Sequence, residues 1–231
     1  MERFWEIDFS RGIALLMMVL FNYSFTLRFF GLLNIDSWDF NWLFPRIIAA
    51  AFIFISGISV SISYYRNPSP RRIAIRGAKI FGYGMIVTVV TWMLFPSYTI
   101  IFGILHLIGI SIILSVPFLG KNVFLPAGAV FIAFGAYIEA NNLGFSQFFW
   151  LVPNIFQTFD YFPLLPWFGV VLLGAGAGTR LFDKKGRKYN IRREPFVAKP
   201  ITIIGRRSLL IYFLHQPVLL AILYIVGYTV L

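Results

Sequence analysis

Cysteine is absent from the 231 residues. That excludes disulfides, thiolate metal sites and cysteine nucleophiles. Histidine is scarce: His106 and His215 are the only two, and they show no metal-ligand spacing, so no metal site is expected. Charge is scarce as well, at 13% of residues, and acidic charge most of all, with 9 Asp and Glu against 20 Lys and Arg. In a soluble protein the net charge of +11 would point to nucleic acid. Here no polar basic region with interleaved aromatic residues exists to carry that role, and nucleic acid is not expected as a partner.

What the chain has in abundance is apolar surface. Hydrophobic residues make up 59% of it and the mean hydropathy is +0.80, against about 45–50% apolar in ordinary soluble domains. A water-soluble globule of this size cannot hide so much, whereas lipid removes the need to. Runs long enough to cross a bilayer, roughly 20 residues each, fall near 11–30, 43–64, 77–95, 99–119, 123–140, 162–181 and 208–230. The first is read as a retained span and not a secretion signal, because Asp8 and Arg11 lie at its edge, Asn22 lies within it and no small-x-small cleavage pattern follows. The expected fold class is therefore all-α: a polytopic helical membrane bundle of about seven transmembrane helices, one domain over residues 1–231.

Basic residues orient such a bundle. With the N-terminus in the cytoplasm, 18 of the 20 lie on the inner side, and only Arg28 and Arg46 fall outside. An odd number of spans then puts the C-terminus outside, and the cell (plasma) membrane is the expected location. The basic loops meet anionic membrane lipids. The aromatic segment Asn141–Asp160, broken by Gly144 and Pro153, reads as a re-entrant or interfacial piece. Trp5, Trp38, Trp42, Trp150 and Trp167 near span ends match an aromatic belt.

Polar groups inside spans mark function or close helix packing. Asp8, Arg11 and Asn22 are spaced +3 and +11, which places them on one helical stripe, with Asn22 about 16 Å along the axis from Arg11. Ser56, Ser59 and Ser63 share a face with Gly57 and suit packing. His106 lies between Gly103 and Gly109 and so faces another helix or a cavity. Ser208, Tyr212 and His215 share a face, next to Gln216 and to Pro217, which removes a backbone donor. Gly169, Gly174, Gly176 and Gly178 let span six approach another helix, in the protomer or in a homodimer.

Five of these patches, in order, carry a resemblance. Glu6-Ile-Asp8-Phe-Ser-Arg11-Gly12-Ile-Ala14 with Asn22 and Tyr23, Phe54-Ile-Ser-Gly57-Ile-Ser59, Phe102-Gly-Ile-Leu-His106-Leu-Ile-Gly109, Pro163-Leu-Leu-Pro166-Trp167-Phe-Gly169 and Ser208-Leu-Leu-Ile-Tyr212-Phe-Leu-His215-Gln216-Pro217 resemble the heparan-α-glucosaminide N-acetyltransferase catalytic-domain family, in its prokaryotic members. The resemblance implies an integral-membrane acyltransferase that moves an acyl group, most naturally acetyl, from cytosolic acetyl-CoA or another acyl-CoA. The acceptor is a hydroxyl or amine on a small carbohydrate or lipid-linked molecule reached from the outer side. Family analogy also points to a homodimer.

The family's active-site histidine lies in the first outer loop. Here that loop reads Leu33-Asn34-Ile35-Asp36-Ser37-Trp38-Asp39, which leaves Asp36 or Asp39, His106 or His215 as the base. A histidine suits the task because its pKa lies near working pH. On this reading Asn22 donates to the thioester carbonyl, and His215 or His106 takes the acceptor's proton or carries the acyl group. The coenzyme A phosphates lie at the inner mouth among Arg11, Arg180, Arg206 and Arg207, with Asp8 and Ser208 beside them. The rival expectation is a non-catalytic small-solute transporter or lipid-binding membrane protein, which broken helices and intramembrane polar groups also fit.

Overall fold

A computed structural model describes residues 3–34, 37, 39–141, 143, 151, 158–191 and 193–226. The helices are α1 (Trp5–Phe29), α2 (Phe44–Arg66, entered through a π-helical turn Asp39–Leu43), α3 (Pro70–Leu94), α4 (Ile104–Leu114), α5 (Phe124–Ala140), α6 (Leu164–Leu181), α7 (Lys199–Arg206) and α8 (Ser208–Ile225). Between α6 and α7 a two-residue antiparallel pair, β1 (Phe182–Asp183) and β2 (Gly186–Arg187), reverses the chain, with Phe182 opposite Arg187. Helices α1, α2, α3, α6 and α8 are long and apolar enough to cross a bilayer, and α4 and α5 are shorter apolar helices. The protein is an all-α membrane bundle.

Two compact units emerge from the packing. One combines residues 1–52 with 191–231, and the other is residues 53–190.

In the first unit, α1 begins at Trp5, six residues before the apolar run read from sequence, because Glu6 and Asp8 suit the positive end of a helix. Leu15 and Met18 pack with Ile48 of α2, and Val19, Phe21, Phe52, Ile204, Ile211 and Tyr212 close around them. Further along α1, Tyr23, Leu27 and Phe30 pack on Leu219 and Leu223 of α8. Helices α1 and α7 meet at two glycines. A Cβ on Gly12 would overlap the Ile201 carbonyl oxygen, and one on Gly205 would overlap the Asp8 carbonyl oxygen. Each helix therefore lies in a notch of the other.

In the second unit, glycine notches bring α6 against α2 and α5. A Cβ on Gly174 would overlap the Phe54 carbonyl oxygen, and one on Gly169 would lie 2.6 Å from the Gly128 carbonyl oxygen. Ser61 Oγ donates to the Ala175 carbonyl at 2.7 Å across the α2–α6 contact. The glycines of α6 are thus used inside the protomer and give no ground for a homodimer. Ser56 and Ser59 donate to Ile53 and Ile55 of their own helix at 2.7 and 2.9 Å, as packing serines do.

Two further spans differ from the sequence reading. The run expected at 99–119 holds only the 11-residue α4, about 16 Å long and too short for a hydrocarbon core of about 30 Å. Its residues Ile104–Gly109, Ser111 and Ile112 are buried within the protein. It is apolar because it is central to its unit. Helix α3 starts at Pro70, ahead of the expected 77, and takes in Arg71, Arg72 and Arg76. Ser69 caps it, its Oγ accepting from the Arg72 N–H at 3.4 Å.

Candidate functional site

The first unit joins α1 and α8 through polar groups set between its two apolar clusters. Asn22 Nδ2 lies 3.2 Å from His215 Nε2. His215 Nδ1 is 2.7 Å from the Tyr212 carbonyl oxygen. A carbonyl can only accept, so Nδ1 carries the proton, and in the neutral ring Nε2 offers its lone pair to the Asn22 amide. Tyr23 stacks on the His215 ring at 6.4 Å between centroids, 18° between planes, and its hydroxyl donates to the His215 carbonyl at 3.0 Å. Pro217, inside α8, lacks an N–H for the preceding turn, and the Tyr23 hydroxyl steadies that stretch from outside. One turn on, Thr26 and Gln216 exchange contacts at 3.4 Å. His215 is 7% exposed and Asn22 half-buried. Removal from water strengthens such interactions and raises the cost of leaving any group unpaired.

Eleven residues back along α1, about 16 Å, lies an ionic cluster. Asp8 accepts from Arg11 Nη1 at 2.9 Å and lies 3.5 Å from Arg206 Nε. Arg206 Nη2 is 3.8 Å from Glu194. The Gly205–Asp8 backbone contact sets Arg206 here, since the next residue along α7 must project beside Asp8. Two guanidinium groups converge on one carboxylate, and both keep part of their surface: the side chains are 23% exposed at Arg11 and 36% at Arg206. Arg207 is exposed and Ser208 half-buried where α8 begins.

The remaining sequence candidates lie elsewhere. Asp36 is outside the described residues. Arg180 ends α6, in the second unit. His106 also belongs to that unit, and both of its ring nitrogens are engaged. Nδ1 accepts from the Gly103 N–H at 3.2 Å; Nε2 then bears the proton and faces Thr88 Oγ1 at 3.2 Å, which donates to the Ile100 carbonyl at 2.6 Å. The ring lies on Gly84, whose Cβ would be 3.0 Å away, between Phe81 and Phe102. These bonds join the start of α4 to Thr88 of α3 and, through it, to the Ile100 carbonyl.

Sequence reasoning passed over Thr26, which follows Asn22 by one helical turn, and Asp160. Asp160 Oδ2 accepts from the Ile104 N–H at 2.9 Å, filling the place a Cβ on Gly103 would take. It ties the segment before α6 to the start of α4, and Thr158 Oγ1 adds a bond to the Thr99 carbonyl at 2.8 Å. Burial pushes the Asp160 carboxyl up to about 6, against the pull of the Ile104 N–H. A raised carboxyl binds protons more tightly folded than unfolded, so its contribution is present below about pH 4 and is lost as pH rises to about 6. The loss is up to about 3 kcal/mol. Melting followed in detergent from pH 4 to pH 8 is expected to fall over that window, and Asp160→Asn is expected to flatten the fall. An unchanged slope in the variant would show that another group is responsible.

Comparison with known proteins bears on what the α1–α8 pair belongs to. No curated protein and no solved structure was found to match. The family model described as heparan-alpha-glucosaminide N-acetyltransferase, catalytic, matches residues 3–217. That stretch runs from before α1 to Pro217 and takes in Asp8, Arg11, Asn22, Arg206 and His215. The chain belongs to the heparan-α-glucosaminide N-acetyltransferase catalytic family, a family of membrane acetyltransferases.

Proposed function

We propose that the protein transfers an acetyl group from cytosolic acetyl-CoA to a hydroxyl or amine of a small carbohydrate or lipid-linked acceptor reached from the opposite side of the cell membrane. The observation that carries this reading is the Asn22–His215 pair at 3.2 Å, held between apolar clusters on one stripe of α1 with the Asp8–Arg11–Arg206 cluster. The distance along that stripe suits an extended pantetheine arm. The donor chemistry suits the nucleotide end, because guanidinium forks match phosphate oxygens. The basic residues of the loops support a cytoplasmic N-terminus and bring coenzyme A to this end of α1.

The acceptor displaces the Asn22 N–H from His215 Nε2. Its oxygen or nitrogen attacks the thioester carbonyl carbon while Nε2 takes its proton. The Tyr212 carbonyl holds Nδ1–H and stabilises the imidazolium that results. Negative charge on the thioester oxygen accepts from Asn22 Nδ2–H. Collapse breaks the carbon–sulfur bond, the thiolate takes the proton from Nε2, and free coenzyme A leaves as the acetylated acceptor forms. Direct transfer is favoured over an acetyl-histidine because Nε2 is the only ring nitrogen free of a backbone bond, and the proton needs it.

Acetyl-CoA binding to the detergent-purified protein, measured by calorimetry, tests the donor. Arg11→Ala and Arg206→Ala are each expected to weaken it by roughly 10-fold, as loss of one charge-assisted contact does. A folded sample that binds no acetyl-CoA at millimolar concentration would overturn the donor assignment and return weight to the transporter reading.

A further inference from the structure

Phe196 and Val197 are 87% and 84% exposed, far more than the neighbouring apolar residues of the first unit, and they stand immediately before α7. At about 100° per residue, Phe196, Val197, Pro200 and Ile203 fall on one side of this segment, and Ala198, Thr202 and Gly205 on the opposite side. The second set is buried; the first is exposed. The buried side is the one notched into α1 through Gly205 and Ile201. Helix α7 is therefore fixed by one face and presents an apolar face that no described residue of its unit covers. Exposed Lys199 lies at the edge of that face, and exposed Arg193 and Arg207 stand before and after it along the chain. Such a segment, apolar on one side with cations at its margin, has the make-up of a helix lying in the plane of a membrane surface. The cations choose among surfaces, since each adds attraction only where headgroups are negative.

We propose that α7 and the turn before it form an in-plane anchor, with Phe196, Val197 and Ile203 sunk among the acyl chains and Arg193 and Lys199 among anionic phospholipid headgroups. The consequence reaches Asp8, because α7 cannot tilt without moving Gly205 and Arg206 against α1. Anionic lipid thereby fixes the arrangement of the Asp8–Arg11–Arg206 cluster. The anchor follows from the membrane character of the chain alone and is independent of the acetyl-transfer reading.

The absence of cysteine makes the test clean. Phe196→Cys or Val197→Cys supplies the only thiol for a nitroxide label, and protein melting confirms that the labelled variants are folded. Depth is read in reconstituted vesicles from collisions with oxygen against a water-soluble nickel chelate, calibrated on lipids labelled at the headgroup and along the chain. In vesicles containing phosphatidylglycerol the labels are expected about 5–10 Å below the phosphates. They are expected to lie shallower in pure phosphatidylcholine, or when Arg193→Gln and Lys199→Gln are added. Labels open to the nickel chelate in both lipids would overturn the anchor. Equal depth in both lipids, with or without the two glutamines, would overturn its preference for anionic headgroups.

Discussion

His215→Ala is expected to lower kcat for acetyl transfer by about 10²–10⁴-fold, the usual contribution of a positioned general base. KM for acetyl-CoA should change little, because the arginines at the other end of the stripe are untouched. The Tyr23 bond goes to the backbone carbonyl at 215 and survives the substitution, so local structure is preserved. On the proposed mechanism Asn22→Ala removes the donor to the thioester oxygen and should cost about 10²–10³-fold. The double variant should be no worse than His215→Ala by more than a small factor, since both groups serve one transition state and such effects do not add. Initial rates with amino-sugar and simple alcohol acceptors supply the measurement. A folded His215→Ala protein within about 3-fold of wild type, some 0.7 kcal/mol in the barrier, would remove this histidine from the chemistry.

Gly205→Ala should be the most damaging single methyl in the first unit. The added Cβ falls on the Asp8 carbonyl oxygen, and rigid backbone cannot rotate aside as a side chain can. Helices α1 and α7 must separate, which loosens Gly12 from Ile201 and draws Arg206 from Asp8. Overpacking of this kind costs about 3 kcal/mol or more, roughly a 6–12 °C fall in melting temperature for a chain this long. Gly82→Ala is the control. Nothing lies within 4 Å of a Cβ there, so the exchange in the middle of α3 should be neutral or stabilising by up to about 1 kcal/mol. Thermal unfolding in detergent distinguishes the two. Equal melting of both variants would show that the α1–α7 notch yields without cost.

The helical membrane character is readable from sequence because hydropathy over 20 residues is a local property. So is the stripe of Asp8, Arg11 and Asn22, since helix geometry turns spacing into a face. The failure at α4 has a physical cause. Hydropathy records that Ile104–Leu114 avoids water but does not distinguish lipid from protein as its surroundings, and here the surroundings are protein. Asp160 escapes for a related reason. Its partner, the Ile104 N–H, is 56 residues away, and nothing in Phe159-Asp160-Tyr161 announces a helix cap. His106 and His215 look alike in sequence, each a histidine in an apolar run. What separates them is hydrogen bonding: one meets the Gly103 N–H at the start of α4 and the Thr88 hydroxyl of α3, while the other turns a lone pair toward a side-chain amide.

The pairing of α1 with α7 and α8 also dictates an order of events during synthesis. Asn22 and His215 are separated by 193 positions, with the whole of residues 53–190 between them. At about 5–20 residues per second, α1 leaves the ribosome on the order of 10 to 40 seconds before α7 and α8 exist. Residues 53–190, the second unit, are all synthesised within that interval. Helix α1 waits in the bilayer with Asp8 already paired to Arg11, while Arg206 and His215 are still to come. The Asn22–His215 pair therefore forms late, and a ribosome that stalls before α8 leaves a protein without it.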